Sequence, residues 1–282
     1  GTRRVAEARI ALQSDSAGVD SLIKAVPERM MSSAGLALDR FRWRLRKGLT
    51  EDAIALMLER SESAETLGDP ESWATQRRRL ARLEMREGDP RRAYRLAARH
   101  FLTTGEDYAD LEWLSGYIAL RKLGDAETAL RHFTRFEAAV ASPISLGRAY
   151  YWQGRAYESL GRAAEARDAY QKGARHQTAF YGLMSAEKLG LPLDPALAGR
   201  ESYPDWRQGS FVSSSVFQAA VLLRAAGDEL VSTRFLLHLN ESLGREDAAR
   251  LMGLAQEWDA PFTTLMIAKA EKIATGQAPL RK

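Results

Sequence analysis

The sequence of 282 residues predicts an all-α fold, a superhelical solenoid of degenerate helical hairpins. Three observations predict it. Prolines at 27, 70, 90, 143, 192, 195, 204, 261 and 279 leave long Pro-free windows at 28–69, 91–142, 144–191 and 205–260, each rich in the helix formers Ala, Leu, Arg and Glu. Glycines at 48, 88, 124 and 161 recur at near-regular periods of 36 to 40 residues. Around the last of them the spacing is helical on both sides, with Tyr150, Gly154 and Tyr157 before Gly161 and Ala166, Ala169, Tyr170 and Gly173 after it.

Taken in chain order, residues 40–46 alternate Arg with Phe41, Trp43 and Leu45, a period-2 pattern that reads as strand. The stretch is short and follows helix-favouring Gly35-Leu36-Ala37-Leu38, and Leu38, Phe41 and Leu45 also keep helical spacing, so a helix is expected. Gly48 with Ala53 and Gly88 with Ala93 mark the next two turns. Gly124, Ala129 and Phe133 then match Gly161, Ala166 and Tyr170 at 37 residues, and Trp113 and Leu123 match Tyr150 and Leu160. The alanine lets the second helix of a hairpin approach the first closely; the aromatic four residues on is expected to fill the gap to the next hairpin. Tyr150, Gly154, Tyr157, Ala166 and Tyr170 occupy the W, G, Y, A and F positions of the tetratricopeptide pattern, while the other repeats fit it poorly. The solenoid is therefore tetratricopeptide-like and degenerate.

Residues 177–190 read as one more helix, ended by Gly190. Pro192, Pro195, Gly199, Pro204 and Gly209 mark an irregular connector over 191–210. Helices resume at 211–226, turn at Gly227, and continue at 228–240, 245–258 and from Pro261, a favoured first-turn position for proline. Four regions are expected: a repeat region 1–176, a helix and connector 177–210, further hairpins 211–275, and a tail 276–282.

Composition narrows the chemistry. There is no cysteine, which excludes disulfides, thiolate metal sites and thiol nucleophiles. The four histidines (100, 132, 176, 238) show no metal-binding spacing and no obvious partner, so helix-face or core roles are expected for them and no metal or other cofactor is expected. No dinucleotide or Walker pattern occurs, and no apolar run reaches the length of a membrane span. The net charge of +4 is uneven: residues 77–99 carry nine arginines against three acids, which leaves −2 elsewhere. Arg40, Arg42, Arg44, Arg46 and Lys47 make a second basic cluster. Both clusters fit an anionic partner, and arginine is equally suited to solvating an outer helix face.

The segments Tyr108-Ala-Asp-Leu-Glu-Trp-Leu-Ser-Gly-Tyr-Ile-Ala-Leu-Arg121, Ala129-Leu-Arg-His-Phe133, Pro143-Ile-Ser-Leu-Gly-Arg-Ala-Tyr-Tyr-Trp-Gln-Gly-Arg-Ala156 and, most specifically, Phe180-Tyr-Gly-Leu-Met-Ser-Ala-Glu-Lys-Leu-Gly190 carry a family resemblance. The chain resembles the non-catalytic helical superhelix of soluble lytic murein transglycosylases. They cover roughly a third of the chain, and the helical layout extends the likeness. The resemblance implies a periplasmic protein, exported by a signal segment that this chain lacks. It also implies a scaffold that positions peptidoglycan for a lysozyme-like C-terminal domain, absent here and expected to begin near Lys282. That domain would be the chain's own partner, with other cell-wall proteins as further partners and no nucleic acid. The family's catalytic mark is a Glu-Ser pair followed further on by Gly-Leu-Met-Gln. Glu62, Glu71, Glu158, Glu201 and Glu241 each precede a serine, but none has that company; Gly182-Leu183-Met184 runs into Ser185. No catalytic residue is therefore expected in this chain, with Glu201, beside Tyr203 and Trp206, the least ordinary of the five.

In stacked hairpins the first helix generally lines the concave side. Arg77, Arg78, Arg79 and Arg82, before Gly88, are thus expected on a positive inner surface with Arg42 or Arg44 from the preceding hairpin, while Arg91, Arg92, Arg95 and Arg99 are expected on the solvated outer face. Of the six tryptophans, Trp113 and Trp152 fall in repeat positions and are expected in the core, and Trp206 is the candidate for stacking on a sugar ring. Two rivals use the same residues. A tetratricopeptide-like adaptor would hold a protein or peptide in its groove; a nucleic-acid binder would use the Arg and aromatic clusters and lose affinity steeply with salt.

Overall fold

The computed structural model describes residues 1–195 and 202–274, and side chains as far as residue 268. Every regular element among the described residues is helical, so the period-2 pattern at 40–46 lost to the helical one. The helices are α1 (Thr2–Ser14), α2 (Val19–Lys24), α3 (Ala34–Arg46), α4 (Thr50–Arg60), α5 (Ala64–Leu67), α6 (Glu71–Glu87), α7 (Pro90–Ala98), α8 (Gly105–Lys122), α9 (Ala126–Ala139), α10 (Pro143–Ser159) and α11 (Ala163–Ala174). After them come α12 (Phe180–Lys188), α13 (Ser215–Ala225), α14 (Glu229–Asn240), α15 (Arg245–Glu257) and α16 (Pro261–Ala274). The chain forms two compact units, one of residues 1–140 and 148–173, the other of residues 141–147 and 174 onward.

All five expected turn glycines separate two helices. Gly48, Gly124, Gly161 and Gly227 take φ of 76°, 69°, 71° and 87°, the left-handed conformation in which a helix stops and which costs glycine little. At Gly124 and Gly227 the next residue then starts the following helix: Asp125 accepts the Thr128 N–H and Asp228 the Val231 N–H. Gly88 differs. Its φ is −119°, and the turn is made by Asp89, whose carboxylate accepts the N–H groups of Arg91 and Arg92, followed by Pro90 in the first turn of α7. A Cβ at Gly88 would lie 2.5 Å from a Glu84 carboxylate oxygen, so a larger residue there would displace that side chain.

In the first unit, sequential hairpins pack α3 on α4, α6 on α7 and α8 on α9. Its core is built from Phe41, Ile54, Met57, Trp73, Leu80, Leu96, Leu111, Leu114 and Ile118. The repeat aromatics do something closer to home than expected. Phe133 lies on Gly116 and Tyr170 on Gly154, so tightly that an added Cβ would sit 2.6 Å and 2.4 Å from the respective rings. Each aromatic therefore packs on the glycine of its own hairpin's first helix, and Phe133 also reaches the next hairpin, with its ring 6.1 Å from that of Trp152. Trp152 is buried and Trp113 lies half-buried against the core beneath the guanidinium of Arg148. In the second unit Phe211, Phe217, Leu236, Leu251, Leu254 and Ile267 form a separate core.

Candidate functional site

The helical twist sorts the arginines by phase. On α3, Arg42 and Arg46 are one turn apart and share a face, whereas Arg44 points the other way and donates to the Asp52 carbonyl at 2.8 Å. Arg42 and Arg46 line a cavity of about 620 Å³ between α3 and α6, which Arg79 enters from α6 together with Ser72, Thr75 and Gln76. Arg42 donates to the Ser72 carbonyl at 3.4 Å, Arg46 to the Leu12 carbonyl and Arg79 to Gln76 Oε1 at 2.8 Å. None of the three forms an ion pair among the described residues, and the single acid lining the groove is Glu71. Three arginines thus line one groove without a close ion pair among the described residues, although Arg46 also acts electrostatically on Asp15, and the surface offers hydroxyl and amide groups as well.

The remaining expected contact residues go elsewhere. Arg77 is fully buried and is withdrawn from any surface. It donates to the Leu96 carbonyl at 2.8 Å and to Ser61 Oγ at 2.6 Å, with no carboxylate beside it, and burial pushes its guanidinium down to about 10. Leu96 lies in the last turn of α7 and Ser61 follows the last residue of α4, so the negative ends of two helices stand in for a counter-ion. Arg78 is neutralised by Asp107 (3.1 Å) and Asp110 of α8, and Arg82 lies half-buried further along α6. Arg92, expected on the outer face, is instead half-buried; it binds Glu84 at 2.6 Å and Glu51 at 2.7 Å, and those carboxylates raise its pKa.

Trp206 is half-buried and already engaged by its neighbours. Its Nε1 donates to Glu257 at 2.8 Å, its ring packs on Phe217, and the guanidinium of Arg207 sits 4.4 Å from its centroid. Of the glutamates that precede serine, Glu62, Glu71, Glu158 and Glu241 are all exposed, which gives none of them the enclosed setting that raises the pKa of a catalytic acid. Glu201 lies outside the described residues.

One constellation escaped sequence reasoning. Glu112, in the middle of α8, is 4% exposed and is bonded by two histidines expected to have no partner: His100 Nε2 at 3.2 Å and His132 Nδ1 at 2.6 Å, themselves 4% and 6% exposed. Burial alone would push the carboxyl up, yet the hydrogen bonds from His100 and His132 hold it down at about 2. The signal was present: Ala109, Glu112, Gly116 and Ala119 form one buried stripe on α8, with an acid where a small residue belongs. Among the described residues no group of three His, Asp or Glu could hold a metal ion, and no helix is long and apolar enough to cross a membrane. No family model, curated protein or solved structure matches the chain.

Proposed function

We propose that this chain is the non-catalytic helical scaffold of a periplasmic lytic transglycosylase, and that it holds peptidoglycan for a lysozyme-like domain. The observation that carries the reading is the groove between α3 and α6, where Arg42, Arg46 and Arg79 line one cavity without an ion-pair partner among the described residues. Peptide stems of peptidoglycan carry carboxylates, and guanidinium is the side chain best shaped to take a carboxylate with two parallel hydrogen bonds. The likeness of the 108–121, 129–133, 143–156 and 180–190 segments to the transglycosylase superhelix supports the choice of polymer.

Such a groove is exposed, so each contact contributes about 0 to 1 kcal/mol and is screened by salt. Co-sedimentation with purified sacculi across a salt series tests the reading. The triple variant Arg42→Ala/Arg46→Ala/Arg79→Ala should bind roughly tenfold more weakly at low salt, whereas Arg91→Ala/Arg95→Ala/Arg99→Ala should bind like the parent. Loss in the second variant alone would move the site to α7. An acidic peptide that binds the groove when sacculi do not would favour an adaptor.

A further inference from the structure

The buried trio of His100, just after α7, Glu112 of α8 and His132 of α9 is chemically asymmetric. Both imidazoles use both nitrogens. Nδ1 of His100 accepts the backbone N–H of Leu102 at 3.0 Å, and a backbone N–H can only donate. The ring hydrogen of His100 therefore sits on Nε2, which donates to Glu112 Oε1. His132 directs Nδ1 to the other carboxylate oxygen, an acceptor only, so Nδ1 carries its hydrogen. Its Nε2 lies 2.9 Å from the hydroxyl of Tyr94, a group able to donate or to accept.

We propose that this cluster is a one-proton site: on acidification a proton from solvent binds Nε2 of His132, the Tyr94 hydroxyl turns over to accept it, and His100 stays neutral. His100 cannot do the same, since a proton on its Nδ1 would meet the Leu102 N–H head-on inside the core. The charge balance agrees. With both histidines neutral, the Glu112 carboxylate faces the guanidinium of Arg135 at a distance of 3.7 Å, and Arg135 is more than half exposed. A proton on His132 places a second, buried cation on the carboxylate through a bond that becomes charge-assisted. Glu112 remains ionised throughout, since its own protonation lies near 2.

Every neighbouring element contributes to this field. From α7 comes Tyr94, and from the segment after it His100, whose ring meets Tyr108 of α8 edge-on at 5.6 Å. From α9 come His132 and Arg135, with Asp125 and Arg131 acting on the Tyr94 hydroxyl with opposite signs. The proton thereby strengthens the tie between α8 and α9 less than one turn from Asp110, which holds Arg78 of α6.

Imidazole ¹⁵N resonances of the whole chain, followed from pH 8 to pH 5, test the proposal. His132 should pass to the doubly protonated signature while His100 keeps the neutral form with hydrogen on Nε2. Titration of His100 alongside His132, or no titration of His132 while the chain stays folded, would overturn it. Tyr94→Phe removes the acceptor that the proton needs, so the doubly protonated fraction of His132 at a given pH should fall by roughly threefold or more. An unchanged fraction would show that the hydroxyl plays only a packing part.

Discussion

Arg77 and Arg79 are two residues apart on α6 and live in opposite worlds. Arg77 enters the interior between α4, α6 and α7, where two helix ends receive it, and Arg79 enters the open groove against α3, where it donates to Gln76 and forms no ion pair among the described residues. A helix turns about 100° per residue, so two positions lie roughly 200° apart and a run of arginines is cut into an inner and an outer set. The comparison teaches that a basic stretch in sequence is no measure of a basic surface. Of the three consecutive arginines, one is a structural strut, one is cancelled by Asp107 and Asp110, and one lies exposed with no ion pair among the described residues.

The comparison breaks most visibly at Arg77. Arg77→Ala should cost about 3 to 5 kcal/mol in denaturant unfolding, because it opens a cavity and removes the donors to the Leu96 carbonyl and the Ser61 oxygen. Arg77→Met, which keeps most of the volume without a charge to bury, should cost clearly less; equal losses would mean that the helix-end contacts dominate over packing. Glu112→Gln comes next, with a loss of about 2 to 4 kcal/mol, since an amide nitrogen would face a histidine N–H.

Acid titration sharpens the second of these effects. The Glu112 carboxyl is held at about 2 in the fold against an ordinary value of 4.5, so its contribution is whole above 4.5 and is lost as pH falls through about 2. It amounts to something on the order of 3 kcal/mol. Parent and Glu112→Gln stabilities measured at several pH values should therefore converge toward pH 2; a gap of constant size would refute the assignment. Gly124→Ala should cost about 1 kcal/mol, for a Cβ in a left-handed turn with open space around it. At the small end, Arg42→Ala, Arg46→Ala and Arg79→Ala should each change stability by less than about 0.5 kcal/mol, their effect appearing in salt-dependent binding alone. Nor should the isolated chain release anhydro-muropeptides from sacculi. Turnover abolished by Glu201→Gln would identify a catalytic acid in the connector.

Much of the architecture was legible because it is written in local rules. Glycine after a helix, aspartate before the next and alanine at the close approach act within a few residues, which is why the hairpin turns at 48, 88, 124, 161 and 227 could be read one by one. Gly88 was the right turn for a different reason, and only packing against Glu84 disclosed it. The site was legible in part. Arg42 and Arg79 were expected on one surface, and they do share a groove, but with Arg46 instead of Arg44, since i and i+4 face alike where i and i+2 do not. Trp206 and Arg77 failed for a common cause: Glu257 lies 51 residues from the one and Leu96 lies 19 from the other, separations that no local spacing encodes.

The sequence by itself determined the helices, their stops and the pairing of neighbours into hairpins, because backbone propensity and capping are settled within a turn or two of chain. Tertiary structure decided which charges are free. His100 and His132 stand 12 and 20 residues from Glu112, and only the packing of α8 with α9 and the segment after α7 makes one buried carboxylate their common partner. A charge taken out of water must find its complement wherever the fold brings one, and that search runs across helices instead of along them.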